Sequence, residues 1–165
     1  MKSIAVAMLA LSLFSACASG PEATSLEGHI AELVDEIPRS ESAGRRAFVR
    51  LEALGEPAVP YLVAHLDDIR PLVAPKISLK NNASTAFEEE RHYSPNTVHD
   101  ALSAILNQIT GQNFIFVYNG ATPQEREENR RRWITWCRST YPDDAETCGS
   151  AIGWGELANP NRPRR

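Results

Sequence analysis

Apolar positions recur along most of this chain with a helical period. Leu26, Ile30, Leu33, Val34 and Ile37 form one stripe, which Pro38 stops. A second stripe, Ala43, Ala47, Leu51 and Leu54, follows Ser42, a residue suited to capping a helix start. Gly55 then suits the left-handed position just past a helix. Pro57 fits the first turn of a third helix running to about Leu66, with Ala58, Val59, Leu62, Val63 and Leu66 inward. Pro60 is tolerated there because first-turn N–H groups have no partner within the helix. The strongest stripe is Val98, Ala101, Leu102, Ile105, Leu106 and Ile109, opened by Ser94-Pro95 and stopped by Gly111. Thr122-Pro123-Gln124-Glu125 is a capping box with proline at the first position. It predicts a helix to about Arg138 that buries Trp133, Trp136 and Cys137 late.

Residues 69–93 break this pattern. Pro71 and Pro75 exclude a helix, and the alternation in 76–80 predicts a short strand or extended arm. Residues 86–91 predict one helical turn. The apolar run Phe114-Ile115-Phe116-Val117-Tyr118, before the turn dipeptide Asn119-Gly120, predicts another short strand, a candidate partner for 77–79. A linker of this length usually marks function or disorder. Its Leu72, Val73, Ile77, Leu79, Phe87 and Tyr93 predict that it packs. From residue 149 the chain reads as a flexible tail.

The first apolar run is different. It extends from Ile4 to Phe14 behind Lys2, with Ser12 the one interruption. A membrane-crossing helix needs about 20 residues, so this run predicts an export signal over 1–16. The sequence Phe14-Ser15-Ala16-Cys17 resembles the lipobox of bacterial lipoproteins, with Phe14 where leucine is commonest. That resemblance implies a lipid on Cys17, cleavage before it, and 17–25 as a short tether between membrane and domain. Ala18 stands where a retention signal would place aspartate. By resemblance to lipoprotein sorting in enteric bacteria, this implies an outer-membrane lipoprotein facing the periplasm. The alternative is cleavage after Ala18, at the A-x-A site Ala16-Cys17-Ala18, giving a soluble periplasmic product. Both leave Cys137 and Cys148 in an oxidising compartment, where they are expected to form a disulfide rather than remain two thiols.

A second resemblance rests on Leu51-Glu52-Ala53-Leu54-Gly55-Glu56-Pro57-Ala58-Val59-Pro60-Tyr61-Leu62, which looks like the turn between the two helices of a HEAT-type repeat. Residues 101–114 through Trp133 and Trp136 resemble a second such hairpin. The likeness covers about 43–68 and 95–138, and 69–93 departs from it. It implies a mainly α fold over 26–148: a short HEAT-like α-solenoid, a stack of αα-hairpins with an extended arm between them. It implies a binding or scaffold role toward an envelope protein partner, and no catalytic residues or cofactors. Solenoids usually need about three repeats. This chain has about two, so its ends require capping or a partner.

The formal net charge is −4, and loss of 1–16 would remove Lys2 and no acid. A nucleic-acid partner, which needs a basic footprint, is therefore not expected. Arg130, Arg131 and Arg132 follow Glu125, Glu127 and Glu128 and read as a solvated helix face.

One polar cluster offers chemistry: Glu88, His92 and Tyr93, followed by His99 and Asp100. If 86–92 were helical, Glu88 and His92 would share a face and form a carboxylate–imidazole metal pair, joined by His99. This is the alternative reading, a periplasmic metal-binding protein or hydrolase. Packing and a solvated turn explain the same residues more simply, and no zinc-protease, paired-cysteine or nucleophile-elbow motif accompanies them. His65 suits a helix C-terminus, and Asn82-Ala83-Ser84 reads as a polar loop. Trp133 and Trp136 are expected to pack in the core rather than form a ligand platform.

Overall fold

The computed structural model describes residues 25–81 and 87–149. The signal segment, Cys17 and most of the tether lie outside them, as do Asn82-Ala83-Ser84, Ala86 and the tail from 150.

Five α-helices and one two-stranded sheet make up the described fold: α1 (Leu26–Glu36), α2 (Glu41–Ala53), α3 (Val59–Ala64), β1 (Ile77–Lys80), β2 (Glu90–Tyr93), α4 (Val98–Thr110) and α5 (Pro123–Thr140). None of the helices is long and apolar enough to cross a membrane. Each longer helix starts where a hydroxyl can take up an orphan N–H. Ser25 accepts from Gly28 N–H and starts α1. Ser40, not Ser42, accepts from Ala43 N–H and starts α2. Thr97 and Thr122 open α4 and α5, each in a reciprocal box with Asp100 or Glu125. Helix α4 thus begins at Val98, later than Ser94-Pro95, because the box satisfies its first donors. Its end is as read: Gly111 sits at φ 71°, a conformation that disfavours any side chain.

Helix α2 touches α1, α4 and β1, while α3 touches α1, α4 and α5. The five expected inward residues of the third helix are all fully buried, although its first turn, Glu56–Ala58, is a 3-10 helix. Gly44 was not singled out by periodicity. A β-carbon there would meet the Ile37 carbonyl oxygen at 2.8 Å, so the α1–α2 turn closes only because this position has no side chain.

The arm folds differently from expectation. Strand β1 forms, but its partner is β2, antiparallel, with Ile77 opposite Tyr93 and Lys80 opposite Glu90. No helical turn forms over 87–91; residues 87–89 bend and β2 follows. The hairpin lays Ile77, Leu79 and Tyr93 on the core. Residues 114–118 are a loop, not a strand. Their side chains are drawn in separately: Val117 and Tyr118 are buried, and Phe114 meets Trp133 edge-on at 5.0 Å. Trp133 is itself fully buried and stands at 5.4 Å from the half-buried Trp136, which places this pair in core packing.

Cys137 and Cys148 form a disulfide, both fully buried. It ties α5 to the turn that follows the 3-10 helix Pro142–Asp144.

Candidate functional site

The densest chemistry in the described residues is a polar seam between α4 and α5. Helix α4 is buried from Val98 to Leu106, wider than its apolar stripe, so His99, Asp100 and Ser103 are forced inside. Helix α5 meets them with Arg126, Asn129 and Arg130, also buried. The spacing is helical on both sides: 99 and 103 share a face, as do 126, 129, 130 and 133.

Asp100 is the hub. Arg126 Nε donates to its Oδ1 at 2.7 Å and Nη2 donates to its Oδ2 at 2.9 Å, a two-pronged pairing. The same Oδ2 accepts from the backbone N–H of Asn96 and Thr97, at 3.0 and 3.2 Å. A fully buried carboxylate is therefore met by a guanidinium and by the start of α4.

His99 is held from both sides. Its Nδ1 lies 2.6 Å from the Leu66 carbonyl oxygen, so Nδ1 carries the proton and donates. Nε2 is then an acceptor and takes a hydrogen bond from Asn129 Nδ2 at 3.2 Å. Asn129 also donates to Ser103 Oγ at 2.9 Å. Burial lowers the His99 pKa to about 4; the Leu66 carbonyl and Asp100 oppose this, and Arg126 and Arg130 add to it. The ring is neutral at pH 7.

Glu88 and His92 lie elsewhere, on the exposed side of the hairpin. His92 Nδ1 bonds Ser78 Oγ across the strands at 2.8 Å. Tyr93 points inward and stacks edge-on against Tyr118 at 5.6 Å. Tyr118 donates to Asn113 Oδ1, and burial beside Tyr93 pushes its pKa up to about 12. The five residues of the sequence-level cluster therefore divide. His99 and Asp100 join the seam with their polar atoms engaged by protein groups, while Glu88 and His92 sit on β2 and its approach. Among the described residues, no group of three His, Cys, Asp or Glu side chains could hold a metal ion. The geometry gives the metal-pair reading no support.

Arg126, Asn129 and Arg130 were missed by the sequence reading, and Arg130 is a correction: it is 4% exposed, not part of a solvated face. That face begins one residue later, where Arg131 and Arg132 pair with Glu128. The available signal was the phase of Trp133 and Cys137, since 126, 129, 130, 133 and 137 all face the same way.

The seam and its setting describe a small, mainly helical domain tied internally by a buried ion pair, a histidine held from both sides and a disulfide. Comparison with protein-family models, with curated proteins and with solved structures found no match.

Proposed function

We propose that the chain is an exported bacterial cell-envelope lipoprotein, anchored through Cys17, whose helical domain is a protein–protein interaction or scaffold module. The observation that carries this reading is the N-terminal sequence MKSIAVAMLALSLFSAC: a charged start, an apolar run too short to span a membrane, and small residues before a cysteine. The Cys137–Cys148 disulfide supports it, because such bridges persist in oxidising compartments. The outer membrane, with the domain facing the periplasm, is the location this reading favours.

The scaffold role rests on the likeness to a degenerate HEAT-type repeat. In its favour, a Gly55-Pro57 turn joins α2 to α3, and both helices touch α1 and α4. A stack this short leaves apolar side chains outside: Val49, Ile69, Val73, Phe87 and Phe116 are all at least half exposed. In-cell crosslinking followed by purification of the anchored protein is expected to recover a stable envelope protein. Recovery of no partner under several growth conditions contradicts the interaction reading while leaving the anchor untouched.

A further inference from the structure

The chain between α3 and α4 runs as a strap along the start of α4. Four hydrogen bonds hold it: His99 Nδ1–H to Leu66 O at 2.6 Å, His99 N–H to Asp68 O at 2.8 Å, Val98 N–H to Arg70 O at 3.0 Å, and Leu72 N–H to Asn96 O at 3.0 Å. Two of these four pass through His99. Its other ring nitrogen is closed by Asn129 of α5.

Consider what surrounds that ring. On α4 the charged neighbour is Asp100, already engaged with Arg126. On α5 the neighbours are Arg126 and Arg130, both cationic. On the strap side the ring meets the Leu66 carbonyl, while the Asp68 carboxylate is turned to Arg70. A proton added at Nε2 would aim an N–H at Asn129 Nδ2, forcing that amide to turn its unpartnered Oδ1 toward the ring, and would place a third positive charge beside two arginines. Both effects penalise the closed state. Once the strap lifts, the uncovered ring can turn on its side-chain torsions away from α5 into water and there accepts the proton at its ordinary cost.

We propose that His99 is an acid-released latch, whose protonation frees the strap over residues 66–72 from α4 while the rest of the helical core stays folded. The core has independent ties in the Asp100–Arg126 pair and the disulfide. The direction follows from linkage. The closed-state pKa of about 4 lies below the ordinary histidine value of 6.5. The latch therefore holds fully above about pH 6.5 and weakens about tenfold per pH unit as the pH falls, until it levels near pH 4.

The test is amide hydrogen exchange on the mature chain from pH 7 to 4.5, read as protection factors so that intrinsic exchange rates cancel. Protection of the Leu72, Val98 and His99 amides is expected to fall about tenfold per unit below pH 6.5. It is expected to stay at least tenfold below that of Ile105 and Leu106 in the middle of α4, with the near-ultraviolet aromatic signal of the core retained. His99→Asn keeps a donor toward Leu66 and cannot titrate, so its strap protection should not vary with pH. A direct NMR titration of the His99 ring covers the case in which that variant does not fold, and should show a pKa well below 6.5. Equal protection of strap and α4 interior overturns the latch, because it means the strap opens only with the whole domain. So does an equal fall in His99→Asn, or an unshifted His99 titration.

Discussion

Replacing Arg126 by Met tests whether the seam carries the energy assigned to it. Methionine keeps much of the aliphatic stem and removes the guanidinium, so the perturbation is mainly the loss of two charge-assisted bonds to Asp100. Breaking a buried pair by removing one partner costs roughly 3–5 kcal/mol, mostly from the charge left behind. Here Asp100 would keep two backbone N–H donors at the start of α4, which places the expected cost near the lower end, about 3 kcal/mol. A domain of this size has on the order of 5–15 kcal/mol of stability, so the variant should still fold. With a urea m-value of about 1.5–2 kcal/mol per molar, the unfolding midpoint should drop by about 1.5–2 M. Urea unfolding followed by tryptophan fluorescence reads this directly, with Arg131→Met as the control. Arg131 pairs with Glu128 on an exposed surface and should cost less than about 1 kcal/mol. The reasoning fails if Arg126→Met costs no more than the control.

Three other outcomes follow from the same physics. Cys137→Ala with Cys148→Ala should lower stability by about 3 kcal/mol, the chain-entropy value for a closed loop of 11 steps, measured as the fall in unfolding free energy with and without reductant. Gly44→Ala should destabilise the fold by about 1–3 kcal/mol although alanine is the better helix former, because its β-carbon would meet the Ile37 carbonyl; a rise in thermal midpoint would contradict the contact. Thr122→Ala should cost about 1 kcal/mol by removing the acceptor for Glu125 N–H and half of the reciprocal box, and Thr122→Ser should restore most of it.

Where local chemistry decides the structure, the sequence was legible. The Thr122 box, the Gly111 stop, the inward face of α3 and the α4 stripe depend on residues within one or two turns, and all appear as read. The Cys137–Cys148 disulfide, expected from the spacing of the two cysteines behind an export-like start, forms. What failed was set by distant partners. Residues 86–91 look like a helical turn in isolation, yet Glu90 and Arg91 enter β2 with His92 and Tyr93, because β1 offers a ladder and Tyr93 can reach the core. The run 114–118 has strand composition, but its rings are claimed singly by Trp133 and Tyr118.

The seam was half visible for a related reason. His99 and Asp100 drew attention as chemistry, and a search for apolar periodicity passes over a helix face made of Arg126, Asn129 and Arg130. Arg126 and Asn129 are held there by Asp100, His99 and Ser103, and partners 26 to 30 residues away leave no mark on a hydrophobic stripe. The same burial that makes His99 conspicuous removes it from any open site.

The proposed function stands or falls on Cys17 as the lipid anchor and first residue of the mature protein. Intact-mass analysis of the protein purified from the membrane fraction of a bacterial host decides this. The predicted species begins at Cys17, carries added acyl chains, and takes up labelled palmitate that Cys17→Ser abolishes. A chain beginning at Ser19 without lipid, recovered from the soluble periplasmic fraction, would contradict the anchor and establish cleavage after Ala18 instead.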